Sequence, residues 1–578
     1  MTRDADTAGA NALWGHLLVT ECARLGASHF VVAPGSRSTP IVAAIATAVT
    51  QGRATARVIT DERSAAFYAL GYGRAKGRPA VLVTTSGSAM AHALPAVLEA
   101  DADRVPMLLI SADRPPELTG TGANQTAEQT QLLRGYVRHF VDMPTPDLSV
   151  DPAFVLTTID EAVHLATQTP AGPVHLNCRF RKPLEPVPVA LPSSLSRWEN
   201  SERVWTQWPR GELALDPHGR AMLADVVARA ERGLLVVGGL RNDVERTAAR
   251  WIAAALGWPV FADITSGLCG TPYLEAALAS EALRTQYAPD AVLHLGGRVV
   301  SPRLWQWVAE SKPNAWVVAR PDPWRLDPLH RVTHRLVCDI AAVHAALPVE
   351  TAGDPRAGRL AELGAALESV ITRVDATTPG LSEVAVARAV AASLPEDATL
   401  YCASSMPIRD VDRFAHRSAA TRVVSNRGVS GIDGTLASAV GYAGGSGRPV
   451  TVLMGDQAFR HDVGSLGLLS GADVTVVVVN NAGGGIFSFL PVASHEPLHT
   501  DFFVAADPVG TEALCAGFDV GYQRVEDAVA LRRALAKRGL VVEVLTDRAD
   551  NFALHRALDT AIADAIDQAL LHKPSGAP

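Results

Sequence analysis

The chain reads as an α/β protein built from three doubly wound parallel-sheet domains. Two observations predict this. Short β-branched runs alternate with longer Ala- and Leu-rich stretches, which is the rhythm of βαβ units, and their crossovers require parallel strands. The rhythm recurs in three blocks of similar size along 578 residues, a length that at roughly 150 residues per domain implies three or four domains. No short-period repeat is visible, so the blocks suggest duplication of one architecture. Hydrophobic residues make up 48% of the chain, enough for several cores. The 46 glycines and 37 prolines are about 14% of it, well under the roughly 25–30% of low-complexity chains. A disordered or fibrous protein is excluded.

The first block, residues 1–192, carries the strand-like runs HFVVAPG, ARVIT, PAVLVTTSG and VPMLLISAD, each followed by a helical pattern. It ends in the Pro-rich stretch Pro183 to Pro192, before polar Ser193 to Glu202. The second, residues 193–375, runs from GLLVVGG through WPVFAD and AVLHLGG to WVVARPD, and after Leu347 continues as a helical connector bearing Asp and Gly. The third, residues 376–578, takes up strands near Leu381 and contains TLYCAS, RVVSNRG, PVTVLMGD and VTVVVVNN.

Composition removes several function classes. A net charge of -8 supplies no general grip on polyphosphate, so nucleic acid is not expected as a partner. The longest apolar stretches, Ile41 to Val49 and Val474 to Val479, fall short of the roughly 18 residues of a spanning helix. No integral membrane segment is expected. The start, with Arg3, Asp4 and Asp6, lacks the pattern of an export signal. Six scattered cysteines form no CxxC pair and sit in apolar contexts, as reduced thiols do. A cytoplasmic enzyme is the leading class. No lysine follows a glycine, and neither GxGxxG nor GxSxG occurs, which removes the phosphate-binding loop of the P-loop enzymes, the standard dinucleotide fingerprint and the nucleophile elbow. His495-Glu496-Pro497-Leu498-His499 matches a zinc-protease pattern literally, but Pro497 would break the helix that must carry both histidines. A polar loop is the better reading.

The strongest local signal is in the third block. The run PVTVLM ends in Gly455-Asp456, and after a crossover VTVVVV ends in Asn480-Asn481-Ala482-Gly483. In a parallel sheet the carboxyl ends of both strands open on one edge. Asp456 and Asn481, with a backbone carbonyl near Gly483, then offer three hard oxygens suited to Mg2+ carrying a diphosphate. Either half alone is better read as a helix cap or an Asn turn, but together, at strand ends and at this separation, they favour the metal site. In the first block, Glu62 stands at a strand-to-helix junction. It either complements the helix N-terminus or, buried, exchanges a proton with a ring nitrogen.

The Gly-Asp to Asn-Asn pattern and the upstream glutamate resemble those of thiamine diphosphate enzymes of the pyruvate decarboxylase-like architecture. In those, a pyrimidine-binding and a diphosphate-binding domain flank a central one. Seven further motifs narrow the likeness: PGSRSTP (Pro34 to Pro40), DERSAAFYALG (Asp61 to Gly71), TSGSA (Thr85 to Ala89), ADRPPEL (Ala112 to Leu118), GANQT (Gly122 to Thr126), SNRG (Ser425 to Gly428) and GIDG (Gly431 to Gly434). Together they resemble the 2-succinyl-5-enolpyruvyl-6-hydroxy-3-cyclohexene-1-carboxylate synthase family, over essentially the whole chain. Two positions depart from the family pattern. Gln457 stands where a glycine is usual, and Pro302 precedes Arg303 where a lysine is common.

The resemblance implies a transferase of menaquinone biosynthesis, acting with thiamine diphosphate and Mg2+ (or Mn2+). It would decarboxylate 2-oxoglutarate and add the succinyl unit to isochorismate in a 1,4-addition. It implies Glu62 and Gln125 as catalytic residues, the first at the aminopyrimidine and the second orienting the reacting group. Ser86, Gly87, Ile432 and Ile486 would contact the cofactor, with Asp456, Asn481 and Gly483 at the metal. Two dicarboxylate substrates need guanidinium forks, and Arg37, Arg114 and Arg303 resemble residues facing isochorismate, with Ser36 and Asn124 beside them. Ser405, Arg409 and Arg427 resemble those facing the succinyl carboxylate, and Phe487 forms part of an apolar wall. Arginine outnumbers lysine 47 to 5, so composition alone does not select these positions. A homodimer or a dimer of dimers is implied. Competing readings are another thiamine diphosphate carboligase or decarboxylase, such as an acetohydroxyacid synthase-like enzyme, and a non-catalytic metabolite-binding protein on the same scaffold.

Overall fold

The computed structural model describes residues 2–347, 354–416, 422–506 and 509–572. Residues 348–353, at the head of the connector expected after Leu347, lie outside the described residues. Among the described residues the strands form three sheets, all parallel. The first contains β1 (His29–Val32), β2 (Thr55–Val58), β3 (Val81–Thr84), β4 (Met107–Asp113), β5 (His139–Met143) and β6 (Pro173–Arg179), in the order β2-β1-β3-β4-β6-β5. The second contains β7 (Gly233–Val237), β8 (Val260–Ala262), β9 (Ala291–Leu295), β10 (Ala315–Arg320) and β11 (His334–Val337), in the order β11-β10-β9-β7-β8. The third contains β12 (Thr399–Cys402), β13 (Arg422–Val424), β14 (Val450–Gly455), β15 (Val474–Asn480), β16 (Gly521–Val525) and β17 (Leu540–Leu545), in the order β13-β12-β14-β15-β17-β16.

Renumbered from its own first strand, the third sheet has the same order as the first, and the second has that order without its last strand. One winding rule therefore built all three. Each chain segment runs from its first strand to one edge and then crosses back, so each sheet has a switch point beside its first strand. Ligands of such sheets bind at the carboxyl ends near that point.

The chain divides into two compact units, residues 1–211 with 426–447, and residues 212–425 with 448–578. In the first, β3, β4 and β6 are buried along their whole length, as expected of strands covered on both faces. The helix Glu62–Lys76 packs there on the helix Thr435–Ser446. Their backbones nearly touch: a Cβ on Gly71 would lie 1.9 Å from the Ser438 carbonyl oxygen, and one on Gly441 2.0 Å from that of Tyr68. Only glycine permits that approach.

The second unit holds the second and third sheets. Helix Pro355–Asp375 presents Leu360, Leu363, Leu367, Val370 and Ile371 to one core, and the last helix, Arg548–Leu571, adds Leu554, Leu558, Ile562 and Ile566. Those spacings of three and four place the apolar residues on single helical stripes. Their shared core includes Leu234, Val236, Trp307 and Trp316 of the second sheet's layer. The helix Arg548–Leu571 thus packs into the core of the second sheet, although it follows the third sheet in the chain. Among the described residues no helix is long and apolar enough to cross a membrane.

Candidate active site

β14 and β15 pair in parallel with Gly455 opposite Val479, so both chains leave the third sheet on one edge. Asp456 opens the helix Asp456–His461 and is only 2% exposed. Its carboxylate accepts the Gly483 N–H, yet its Oδ2 has no partner. Asn481, just beyond β15, is 9% exposed, and its Oδ1 is likewise buried and unpartnered. Its Nδ2 donates to Glu383 Oε1 at 2.8 Å. Gly483 has φ 137°, and a Cβ there would lie 2.2 Å from the Val504 carbonyl oxygen, so no other residue fits. Its carbonyl accepts the Gly485 N–H at 2.9 Å and keeps a second lone pair. Arg548 Nη1 donates to the Asn481 carbonyl at 3.0 Å and also to that of Ala482.

Burial is the largest influence on both acids here. It holds the Asp456 carboxyl above its ordinary range, with Arg460 opposing. Burial pushes Glu383 up to about 7, helped by the charges of Asp410 and Asp456. Buried oxygens without donors are costly unless something electropositive meets them. Two such oxygens at one sheet edge, with the remaining lone pair of the Gly483 carbonyl, are the donor types that suit a hard divalent cation keeping positions open for phosphate oxygens. Among the described residues no group of three or more His, Cys, Asp or Glu could hold a metal.

Nearby segments carry other expected residues. Ser405, with φ 77°, precedes the helix Met406–Phe414, and Arg409 donates to the Ser405 carbonyl. Ile486 and Phe487 are half-buried in the turn Gly485–Phe489, and the Phe487 ring meets that of Phe503 edge-on at 5.2 Å. Arg303 Nη2 donates to Asp559 Oδ2 at 2.6 Å, while its Nη1 is buried without a partner. Pro302 occupies the first turn of the helix Pro302–Ser311, where its missing N–H costs nothing. Gln457 donates to the Ala505 carbonyl at 2.9 Å.

In the first unit the expected site residues present buried donors. Arg37 is 4% exposed in the turn Ser36–Ser38, and its Nη1 donates to the Phe180 carbonyl at 2.7 Å. Its Nε is buried without a partner, as is that of Arg114. Burial and then the charge of Arg114 lower the Arg37 pKa, with Asp113 opposing. Two neighbouring guanidiniums with unused N–H groups suit an anion chemically. Ser36 is exposed beside them.

The loop after β3 is held to Gln125 by reciprocal bonds. Ser86 Oγ donates to the Gln125 carbonyl and Gln125 Nε2 to that of Ser86, both at 3.0 Å. Gln125 adopts φ 55°. Behind them lies a buried polar spine. Gly87 N donates to Gln129 Oε1 at 2.9 Å, and Gln129 Nε2 donates to Asn177 Oδ1 at 3.0 Å. Asn177 Nδ2 donates to Asp113 at 3.0 Å and to Asp142 at 2.8 Å. Asn124 is exposed on the same loop.

Glu62 is the first residue of its helix, which Asp61 caps by accepting the Arg63 N–H at 3.0 Å. It is half-buried, so the full enclosure expected for a proton-holding glutamate is not present within this unit. Ile432 is also half-buried. The loop bearing it and Arg427 is tied down by Glu99, which accepts the Gly428 and Val429 N–H groups at 2.8 Å each and pairs with Arg74 at 3.2 Å.

Sequence reasoning missed Glu99, Gln129 and Glu383. Of these only Glu383 had a visible signal, the Ser382-Glu383 pair opening a helix. The cysteines need one correction: five are buried free thiols, but Cys269 is exposed. The 495–499 string spans a turn and the start of a π-helical segment, with His499 Nδ1 and Glu496 Oε1 3.0 Å apart. It is a polar loop, as expected.

Comparison with known proteins identifies the family. Residues 14–132 match the thiamine pyrophosphate enzyme N-terminal TPP binding domain, and residues 191–402 match the middle domain of thiamine pyrophosphate enzymes. A protein of Rubrobacter xylanophilus named 2-succinyl-5-enolpyruvyl-6-hydroxy-3-cyclohexene-1-carboxylate synthase is 46% identical over 96% of this chain and 98% of its own. Proteins of the same name from Salinibacter ruber and Chlorobaculum tepidum are 42% and 39% identical, over 97% and 96% of this chain and 98% of each relative. The chain therefore belongs to the 2-succinyl-5-enolpyruvyl-6-hydroxy-3-cyclohexene-1-carboxylate synthase family of thiamine diphosphate enzymes.

Proposed function

We propose that the protein is a 2-succinyl-5-enolpyruvyl-6-hydroxy-3-cyclohexene-1-carboxylate synthase. It decarboxylates 2-oxoglutarate and adds the succinyl unit to isochorismate, with thiamine diphosphate and Mg2+ or Mn2+. The observation that carries this reading is the pair of buried, unpartnered oxygens, Asp456 Oδ2 and Asn481 Oδ1, on a chain so similar to its relatives. Thiamine diphosphate, when bound, supplies the carbon nucleophile and the electron sink for decarboxylation.

The protein's own residues do the rest. Asp456, Asn481 and the Gly483 carbonyl hold the cation and, through it, the diphosphate. Glu62 holds and returns a proton at the pyrimidine ring nitrogen, and Ile432 and Ile486 wall the cofactor. Gln125, fixed by Ser86, donates to a developing alkoxide. Arg37 and Arg114, with Arg303, Ser36 and Asn124, receive the isochorismate carboxylates. Ser405, Arg409 and Arg427 receive the succinyl carboxylate, and Phe487 keeps water out.

We also take residues 1–192, 193–375 and 376–578 as pyrimidine-binding, central and diphosphate-binding domains, in a cytoplasmic homodimer or dimer of dimers. Incubation with isochorismate, 2-oxoglutarate, thiamine diphosphate and Mg2+, followed by mass spectrometry, should reveal the decarboxylated adduct only when all four are present. Adduct formation without the thiamine cofactor would refute the proposal.

A further inference from the structure

Asn481 poses a problem of orientation. An amide presents an oxygen on one side and an NH2 on the other, nearly identical in shape, and only the oxygen can serve a cation. We propose that Glu383 is the positioning residue that turns the Asn481 oxygen toward the cation. This rests on the reading of Asp456 and Asn481 as metal ligands.

The geometry is explicit. Ser382 Oγ accepts the Ala385 N–H at 2.8 Å and starts the helix Glu383–Ser393. Glu383 becomes its first residue, with 4% exposure. Glu383 Oε1 accepts from Asn481 Nδ2 at 2.8 Å and from Thr546 Oγ1 at 3.2 Å. In this pairing the Asn481 amide donates and Glu383 Oε1 accepts, so the NH2 is drawn toward Glu383. The Asn481 oxygen then points the other way, where it is buried and unpartnered. Thr546 lies just past β17, the strand beside β15, so Glu383 is braced from the sheet edge that carries the asparagine. The backbone is fixed as well, since Arg548 holds the Asn481 carbonyl. Without the carboxylate, nothing in this set prefers one amide orientation, and the flipped one aims N–H groups at the cation.

The test measures Mn2+ affinity by electron paramagnetic resonance in the presence of thiamine diphosphate, with thermal melts of the cofactor-free proteins as a folding check. Glu383→Leu should weaken Mn2+ binding about 10- to 100-fold, the usual scale for losing an outer-shell partner. Glu383→Gln retains an acceptor and should lose clearly less. In the Asn481→Asp background either side-chain oxygen can serve the metal, so Glu383→Leu should cost nothing there, or gain affinity by removing a repulsive carboxylate. A merely structural role predicts equal losses in both backgrounds. Wild-type affinity in Glu383→Leu, equal losses in both backgrounds, or a loss in Glu383→Gln as large as in the leucine variant would overturn the inference. If the wild-type protein binds no Mn2+ with thiamine diphosphate, the metal reading itself fails, and this inference falls with it.

Discussion

The two compact units solve opposite problems with buried polarity. In the first unit, the spine of Gly87, Gln129, Asn177 and Asp113 satisfies itself, and among the expected site residues the buried unpartnered atoms are donors, the Nε groups of Arg37 and Arg114. In the second they are two acceptors, Asp456 Oδ2 and Asn481 Oδ1, together with one donor, Arg303 Nη1. Unused donors await anions and unused acceptors await a cation. The contrast is confined to these site residues, since other buried polar atoms of both kinds lack partners in each unit.

The largest effects should separate chemistry from holding. Glu62→Gln should lower turnover by about 10^2- to 10^4-fold, the range for loss of a proton-transferring group, with thiamine diphosphate affinity nearly unchanged in a fluorescence titration. Asp456→Ala should do the reverse and abolish metal-dependent cofactor retention in the same titration. Matching losses of affinity in the two variants would break the division of labour drawn above.

Arg114→Met should lower kcat/KM for isochorismate about 10- to 100-fold, since a hydrogen bond to a charged group is worth roughly 1.5–3 kcal/mol. Its kcat/KM for 2-oxoglutarate should stay within about threefold under the same cited reasoning. Steady-state kinetics with each substrate varied would show whether the donors serve one partner or both.

Stability should respond with opposite signs in the two halves. Gln129→Leu strands the Gly87 N–H, while the Asn177 oxygen keeps Ser111 Oγ as a donor, and should cost about 1–3 kcal/mol in urea unfolding. Asp456→Asn removes a buried charge held for a ligand, so the metal-free protein should melt about 2 °C higher. A destabilised Asp456→Asn protein would mean that the orphan carboxylate is structural after all.

The smallest effect concerns pH. Burial and then a hydrogen bond with Glu21 push Asp160 up to about 8. Its carboxyl meets the Thr206 N–H at 2.6 Å. The folded state therefore binds a proton that the unfolded chain releases near its ordinary, lower pKa, and this contribution to stability declines as pH rises toward about 8. Asp160→Asn should flatten the melting temperature between pH 5 and pH 9, by a degree or so per unit, on linkage grounds. An unchanged slope would remove Asp160 as its source.

Much of this was legible in residues alone because it is local. Strand runs, their β-branched composition and the Gly-Asp and Asn-Asn endings are short-range features. The parallel rule then places Asp456 and the residues after β15 on one edge. The helix Arg548–Leu571 shows the limit: its Leu554, Leu558 and Ile562 stripe is visible in the sequence, but not that it packs into the core of the second sheet. An apolar stripe specifies burial and not the surface it finds.

By itself, the sequence determined the three windings, the anionic and cationic residue types at the strand ends, and the family. Only the tertiary structure decided which oxygens and guanidinium nitrogens remain unpaired, and that Glu383 faces an asparagine 98 residues away. Pairing of buried polar atoms is settled by geometry across long loops, and no local pattern encodes it.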